Sequence, residues 1–302
     1  MHAWEAIQKS VDYIETHTTE EISIETLAAI AGLSPYYFQR LFKRLVKRTV
    51  FGYVRLRRLA QSTQVLKADK RIVDISAEYG FSSHANFTRA FKEAYNITPE
   101  EYRTKSIPLN QMNKPDLLLN YTLIDENVPL IADWIILEIT RKKLIKQEIY
   151  HGLTAQVSIS HQIPMGEVTG IDAPFILWER FHKIKPEIKG LSLNGIELGA
   201  SMAVDMENGT FTYFAGASAI SEKPIAEGVT AWELPAAEYI VCSLAAETFT
   251  ELTTSALDKA MNYLFRTWLP NHKLITQPFS AEKYYKATPD GVSMEIWVIP
   301  AP

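Results

Sequence analysis

The sequence predicts two domains of different class. The N-terminal one is all-helical with two helix-turn-helix units, and the C-terminal one is α+β, built from a duplicated strand-helix-strand-strand unit. Three observations carry this. A short apolar helix, a glycine turn and a longer amphipathic helix occur twice, in residues 23–47 and 74–95, with Gly32 and Gly80 at the turns. Charge divides the chain: residues 1–105 hold 16 Lys+Arg against 12 Asp+Glu, and residues 106–302 hold 15 against 23. Beyond Arg103, helical periodicity gives way to strand-like runs separated by turn signals such as Glu207-Asn208-Gly209.

The first helix is expected over residues 4–16, with Ile7, Val11 and Ile14 on its buried stripe. Residues 24–31 form the positioning helix of the first unit. Gly32 supplies the left-handed residue of the turn, Ser34 caps the next helix, and Pro35 fits its first turn, where a missing N–H costs nothing. Phe38, Leu41, Phe42 and Leu45 recur at helical spacing, as do Phe87, Ala90, Phe91 and Tyr95 in the second unit, so both sets face a core. Residues 51–66 make a long connector, with Val54, Leu59, Val65 and Leu66 apolar and Arg55, Arg57 and Arg58 free for phosphate. Asp74 is expected to cap the second positioning helix, and Ser82 or Ser83 the helix after it. Thr98-Pro99-Glu100-Glu101 opens a closing helix with a cap, a proline and two first-turn acids.

The faces left outward chemically suit a major groove. In the first unit they hold Tyr36, Gln39, Arg40, Lys43 and Arg44; in the second, His84, Ala85, Thr88 and Arg89. Arg40 and Arg89 can meet guanine bidentately, and Gln39 can do the same for adenine. Tyr36 suits a phosphate or a thymine methyl, with surface packing an even alternative. For Arg40 the alternative is an ion pair with a nearby acid. Between Arg40 and Arg71 there are 11 basic residues and one acid, Asp69, a concentration that attracts phosphate.

The stretch Ile72-Val73-Asp74-Ile75-Ser76-Ala77-Glu78-Tyr79-Gly80-Phe81, with Phe87-Thr88-Arg89-Ala90-Phe91-Lys92 and Thr98-Pro99-Glu100-Glu101-Tyr102-Arg103, closely resembles the AraC/XylS family. Gln39-Arg40-Leu41-Phe42-Lys43 and Arg57-Arg58-Leu59-Ala60 fit the same family. The resemblance covers residues 1–105. It implies double-stranded DNA as partner, read in two major-groove segments by one chain, with the first unit carrying most of the specificity. Two reading heads in one chain make a monomer on DNA the default. RNA polymerase is a candidate further partner.

Residues 106–118, polar and holding Pro108 and Pro115, are expected to be a linker. Residues 119–302 follow as strand, helix, two strands, then strand, helix, two strands. Strands are expected at residues 134–139, 144–152, 197–205, 211–219, 229–234, 239–243, 282–285 and 293–298. Helices are expected at residues 175–184 and 255–268, and a turn at Pro289-Asp290-Gly291. Leu177-Trp178-Glu179-Arg180-Phe181, Tyr213-Phe214-Ala215-Gly216, Leu234-Pro235-Ala236-Ala237-Glu238-Tyr239 and Met294-Glu295-Ile296-Trp297-Val298-Ile299-Pro300 resemble a GyrI-like effector domain. The resemblance implies small-molecule sensing in a cleft between the repeats, with aromatic walls and a buried carboxylate that selects cations. The candidates are Phe175, Trp178, Tyr213, Trp232, Tyr284 and Trp297, with Glu282 and Glu295. Glu282 alternates in phase with Tyr284, and Glu295 with Trp297, so each pair shares a sheet face. Each aromatic taken singly is more often core than ligand contact.

Two other functions remain open: a ligand-free docking module behind the same DNA-binding domain, and a small-molecule hydrolase using a pair such as Tyr284 and Glu282. No Ser/His/Asp, Cys/His or metal constellation stands at recognisable spacing, so neither an enzyme nor a metal or cofactor is expected. No apolar run reaches the roughly 18 residues of a membrane span, and the N-terminus lacks a signal-peptide layout. Cys242, without a partner in the chain, suits a reducing cytoplasm.

Overall fold

The computed structural model describes residues 2–132, 135–193, 195–221, 227–288 and 291–301. The chain divides into two compact units, residues 1–121 with 166–171, and residues 122–165 with 172–302.

The first unit opens with α1 (Ala3–Thr16), α2 (Ile24–Ala31), α3 (Pro35–Val46), α4 (Val50–Leu66), α5 (Ile72–Glu78), α6 (His84–Tyr95) and α7 (Pro99–Lys105). Hydroxyl caps set four of the starts: Ser23, Ser34, Thr49 and Ser83 each accept a backbone N–H from the first turn. Thr98 and Glu101 form a reciprocal capping box at α7. Gly32 and Gly80 take left-handed backbone at φ 67° and 68°, where a side chain is disfavoured. Lys47 and Asn96 end α3 and α6 in the same conformation. Asp74 is not the cap of α5. Arg71 holds that position, and Asp74 lies in the first turn, bound by the Arg71 guanidinium at 2.8 and 2.9 Å.

Each helix-turn-helix has its own core. Ile7, Val11, Ile14, Leu27, Phe38, Phe42 and Tyr53 are fully buried in the first. Leu59, Leu66, Ile75, Phe87, Phe91 and Tyr95 are fully buried in the second. Helix α4 supplies Tyr53 and Val54 to one core, then Leu59 and Leu66 to the other. Residues 106–118, expected as a polar linker, run instead as a packed strap of this unit. Met112 and Leu117 enter the first core, and Ile107 and Leu109 lie against the second. The Gln111 amide donates to Thr63 at 2.9 Å. The strap includes β1 (Leu109–Asn110) and leads to α8 (Leu117–Tyr121).

The second unit carries β2 (Leu130–Ala132), β3 (Ile135–Lys143), β4 (Glu148–Ser158) and α9 (Ile159–Gln162). The two-residue β5 (Gly170–Ile171) belongs to the first unit, where it pairs antiparallel with β1. The second unit resumes with α10 (Ala173–Ile184), β6 (Glu197–Asp205), β7 (Thr210–Ser218), β8 (Thr230–Leu234) and β9 (Glu238–Ala246). A helix then runs through α11 (Phe249–Glu251), α12 (Leu257–Tyr263) and α13 (Leu269–Asn271), with π-helical turns between them, before β10 (Ser280–Tyr284) and β11 (Val292–Val298). Among the described residues the nine long strands form one antiparallel sheet, ordered β2-β3-β9-β11-β10-β6-β7-β4-β8. The duplication is visible as β4-α10-β6-β7 and β9-helix-β10-β11, joined where β6 pairs β10. The chain turns at residues 144–147 rather than continuing as strand, and the second helix starts at Phe249, ahead of the expected residue 255. Trp134 and the Pro289-Asp290 part of the last expected turn lie outside the described residues.

Candidate functional sites

In the first unit α3 buries Phe38, Phe42 and Val46 and leaves Tyr36, Gln39, Arg40, Lys43 and Arg44 exposed. The Arg40 guanidinium stands 5.6 Å from the centre of the Tyr36 ring. Among the described residues no acid pairs with Arg40, whose Nη1 makes one long hydrogen bond, 3.5 Å, to the Tyr36 hydroxyl. Helix α6 presents His84, Ala85 and Arg89 in the same way, along a concave stripe that continues through Lys92, Glu93 and Asn96. Thr88 lies on this stripe, but its hydroxyl is shielded from solvent and has no hydrogen-bond partner, so only its methyl edge faces outward chemistry. Lys92, absent from the expected set, has the spacing that would have flagged it: it follows Thr88 by four residues.

Two of the three connector arginines, Arg57 and Arg58, are not free for phosphate. Arg57 is 13% exposed and grips Glu15 at 2.8 Å (Nε–Oε1) and 2.7 Å (Nη2–Oε2), while Tyr53 donates to Glu15 at 2.7 Å. Burial and the negative charge of Glu15 push the Tyr53 phenol well above its usual range. Arg58 donates to the carbonyls of Thr18 (2.8 Å), Glu20 (2.7 Å) and Gly80 (3.5 Å). Arg55 pairs with Glu93. Because α4 lies between both cores, Arg57 and Arg58 meet an acid and helix-end carbonyls, while Arg55 stays half exposed beside Glu93.

In the second unit the strand register separates the candidate residues into two groups. Residues opposite one another in an antiparallel pair share a face. Lys283 opposes Glu295, and Glu282 opposes Ile296, so the two carboxylates lie on opposite faces of the sheet. Glu295 and Trp297 therefore do not join Glu282. Glu295 is bound by Lys142, by the Tyr285 hydroxyl at 2.7 Å and by the Trp297 indole N–H at 2.8 Å. Burial alone would raise its carboxyl, but these partners outweigh it and hold it below the usual range. Trp297 is packed on Tyr239 and under the Lys283 ammonium, and Trp232 on Phe214 and Phe279. All three are parts of a satisfied interior on that face.

The other face gathers Glu282, Tyr213, Tyr284 and Trp178. Glu282 is 4% exposed. Its Oε2 accepts the hydroxyls of Tyr284 at 2.8 Å and Tyr213 at 2.9 Å, and the Trp178 indole donates to the Tyr213 oxygen at 3.1 Å. Gly199 makes this possible: a Cβ there would stand 2.2 Å from the Tyr213 hydroxyl and 2.9 Å from Glu282 Oε2. Burial raises the Glu282 carboxyl above its ordinary value, the two tyrosine bonds oppose this, and the charge of Asp172 adds to it. Among the described residues no cation pairs with Glu282. Phe175, one helical turn before Trp178, is 47% exposed, and Phe249 is 53% exposed with its ring 6.3 Å from that of Tyr284. Asp172 caps α10 through the Phe175 N–H at 3.0 Å. Phe249 and Asp172 were not among the expected residues. Their signals were the Thr248-x-x-Glu251 capping box and the Asp172-Ala173-Pro174 helix start.

A helix-turn-helix domain profile matches residues 27–105, and a profile for integron-associated effector binding proteins matches residues 175–299. The regulatory protein SoxS of Salmonella typhimurium is 33% identical over 98 residues, covering 32% of this chain and 92% of SoxS. The chain belongs to the AraC/XylS family of transcriptional regulators. Another AraC/XylS relative is YbfP of Bacillus subtilis, an uncharacterized regulator 41% identical over 105 residues, 34% of this chain and 36% of YbfP. The chain thus spans about a third of the length of that curated relative. An integron cassette protein of Vibrio cholerae shares 13% identity over 55% of this chain and 95% of its own, with a TM-score of 0.39. The AraC/XylS part holds the two helix-turn-helix units, and a GyrI-like effector-binding domain follows it.

Proposed function

We propose that the chain is a transcription regulator that binds double-stranded operator DNA through α3 and α6 and senses a small aromatic cation in a cleft at Glu282 and the aromatic residues around it. Tyr36, Gln39, Arg40, Lys43 and Arg44 read one groove segment. His84, Arg89 and the Thr88 methyl read the next. It acts on DNA as a monomer and in the cytoplasm. Among the described residues no helix is long and apolar enough to cross a membrane.

The observation that carries the sensor reading is Glu282, an almost fully buried carboxylate whose only partners among the described residues are two tyrosine hydroxyls. A buried anion without a counter-charge is costly, and a ligand that brings a positive charge relieves that cost. Trp178, Phe175, Tyr284 and Phe249 supply π faces, each worth roughly 0.5–2 kcal/mol over a cation. Cation and aromatic character are therefore selected together.

The test is thermal stabilisation of the full chain by tetraphenylphosphonium against tetraphenylborate, two ions of one shape and opposite charge. A ligand bound to the native state raises the melting temperature by mass action. A shift with the cation alone supports the sensor. No shift with either favours a docking module.

A further inference from the structure

We propose that the six residues Gly166–Ile171 are the strap through which cleft occupancy alters DNA binding. This rests on the sensor reading above. The chain leaves the second unit after Met165, contributes Gly166–Ile171 to the DNA-binding unit, and re-enters the second unit at Asp172. Within the DNA-binding unit the strap touches both reading heads. The Arg48 guanidinium, just beyond α3, donates to the Glu167 carbonyl at 3.1 Å. Gly170 and Ile171 pair with Asn110 and Leu109. Ile171 packs against the core that seats α6, among Phe87, Phe91 and Tyr95. The Asn113 N–H donates to the Gly166 carbonyl at 2.7 Å.

The residue after the strap caps α10. Asp172 holds the Phe175 N–H, and Phe175 and Trp178 belong to the cleft. The chain passes from Ile171 through Asp172 into α10 at Ala173, and Trp178 stands five residues further, about 7.5 Å along the helix at 1.5 Å per residue. A cation seated against Trp178 that displaces α10 must displace Ile171 with it or strain the α10 start. Ile171 packs, half-buried, against the core of the second reading head, and the Glu167 carbonyl accepts from Arg48 beside the first. The strap is therefore placed to alter the geometry of α3 and α6 when the cleft fills. A ligand shifts such an equilibrium only through differential affinity for the two arrangements, and couplings of this kind run about 5–150-fold.

The experiment uses the full chain and a duplex selected by it from a random pool. DNA affinity is read by fluorescence anisotropy with and without saturating tetraphenylphosphonium. Two glycines are inserted between Ile171 and Asp172 in one variant, and between Met165 and Gly166 in a second. Separate titrations with DNA alone and cation alone check that each variant is folded, and a single-glycine insertion replaces any that is not. The expected result is a cation-induced change in DNA affinity of at least about fivefold in wild type, kept in the second variant and reduced below about twofold in the first. A first variant that keeps the full change overturns the strap while leaving the sensor intact. Loss of the change in both variants also overturns it, because the α10 junction is then not the element that matters. If wild-type protein fails to bind the cation, the sensor reading falls and the strap falls with it. If wild type binds the cation without a change in DNA affinity, the strap alone falls.

Discussion

Replacing Glu282 with glutamine isolates the charge of the cleft from its shape. Glutamine has nearly the same volume and keeps one oxygen to accept the tyrosine hydroxyls that now bind at 2.8 and 2.9 Å. What it removes is the attraction for a cation. A unit charge about 5 Å from the carboxylate, at an effective dielectric constant of about 20, gains about 3 kcal/mol. That corresponds to a loss on the order of 100-fold in affinity for tetraphenylphosphonium, read by calorimetry. Tetraphenylborate, repelled by wild-type protein, should bind Glu282→Gln better than it binds wild type. Stability shifts in a defined direction as well. The folded-state carboxyl is raised above its ordinary value, chiefly by burial. Its contribution to stability is thus fully present below the ordinary carboxylate range and is lost as pH rises through the raised value. The unliganded variant should therefore gain in melting temperature over wild type between pH 4 and pH 8. A cation affinity within about threefold of wild type would refute the electrostatic account of the cleft, because threefold is only about 0.6 kcal/mol.

Three further outcomes follow from the same geometry. Arg40→Ala should weaken binding to the selected duplex by about 1–3 kcal/mol and relax preference at one base pair; unchanged selectivity would remove Arg40 from the reading set. Arg57→Met should lower the stability of the full chain by about 3 kcal/mol, because it strands Glu15, 14% exposed, without its cation. Denaturant unfolding measures this, and a loss under about 1 kcal/mol would show that the pair makes no net contribution. Gly199→Ala should abolish tetraphenylphosphonium binding while leaving the selected duplex bound, since the new methyl would collide with the Tyr213 hydroxyl and Glu282; retained cation binding would show that this contact is dispensable.

The helical half was legible because its signals are local. Ser34, Ser83, Thr98, Gly32 and Gly80 each act through backbone groups within a few residues, and the Phe38/Phe42 and Phe87/Phe91 pairs mark faces by spacing alone. Arg57 and Arg58 are not legible as buried because their partners, Glu15, Thr18 and Glu20, lie 38 to 42 residues away in the sequence. The strap at residues 106–118 has the polar composition of a linker, but Met112 and Leu117 are spaced to reach one core and Leu109 the other. In the second unit, alternation placed Glu282 with Tyr284 and Glu295 with Trp297. It could not say that the two pairs face opposite ways, because that depends on the register of β10 against β11. Phe249 reaches the Tyr284 ring through a helix that begins six residues earlier than its apolar periodicity shows.

The most direct test of the whole account is the affinity of the full chain for its selected duplex, measured with and without tetraphenylphosphonium at saturation. A change of at least about fivefold is expected with the cation and none with tetraphenylborate. An unchanged affinity, in protein shown by calorimetry to hold the cation, would contradict the claim that one chain joins DNA reading to cation sensing.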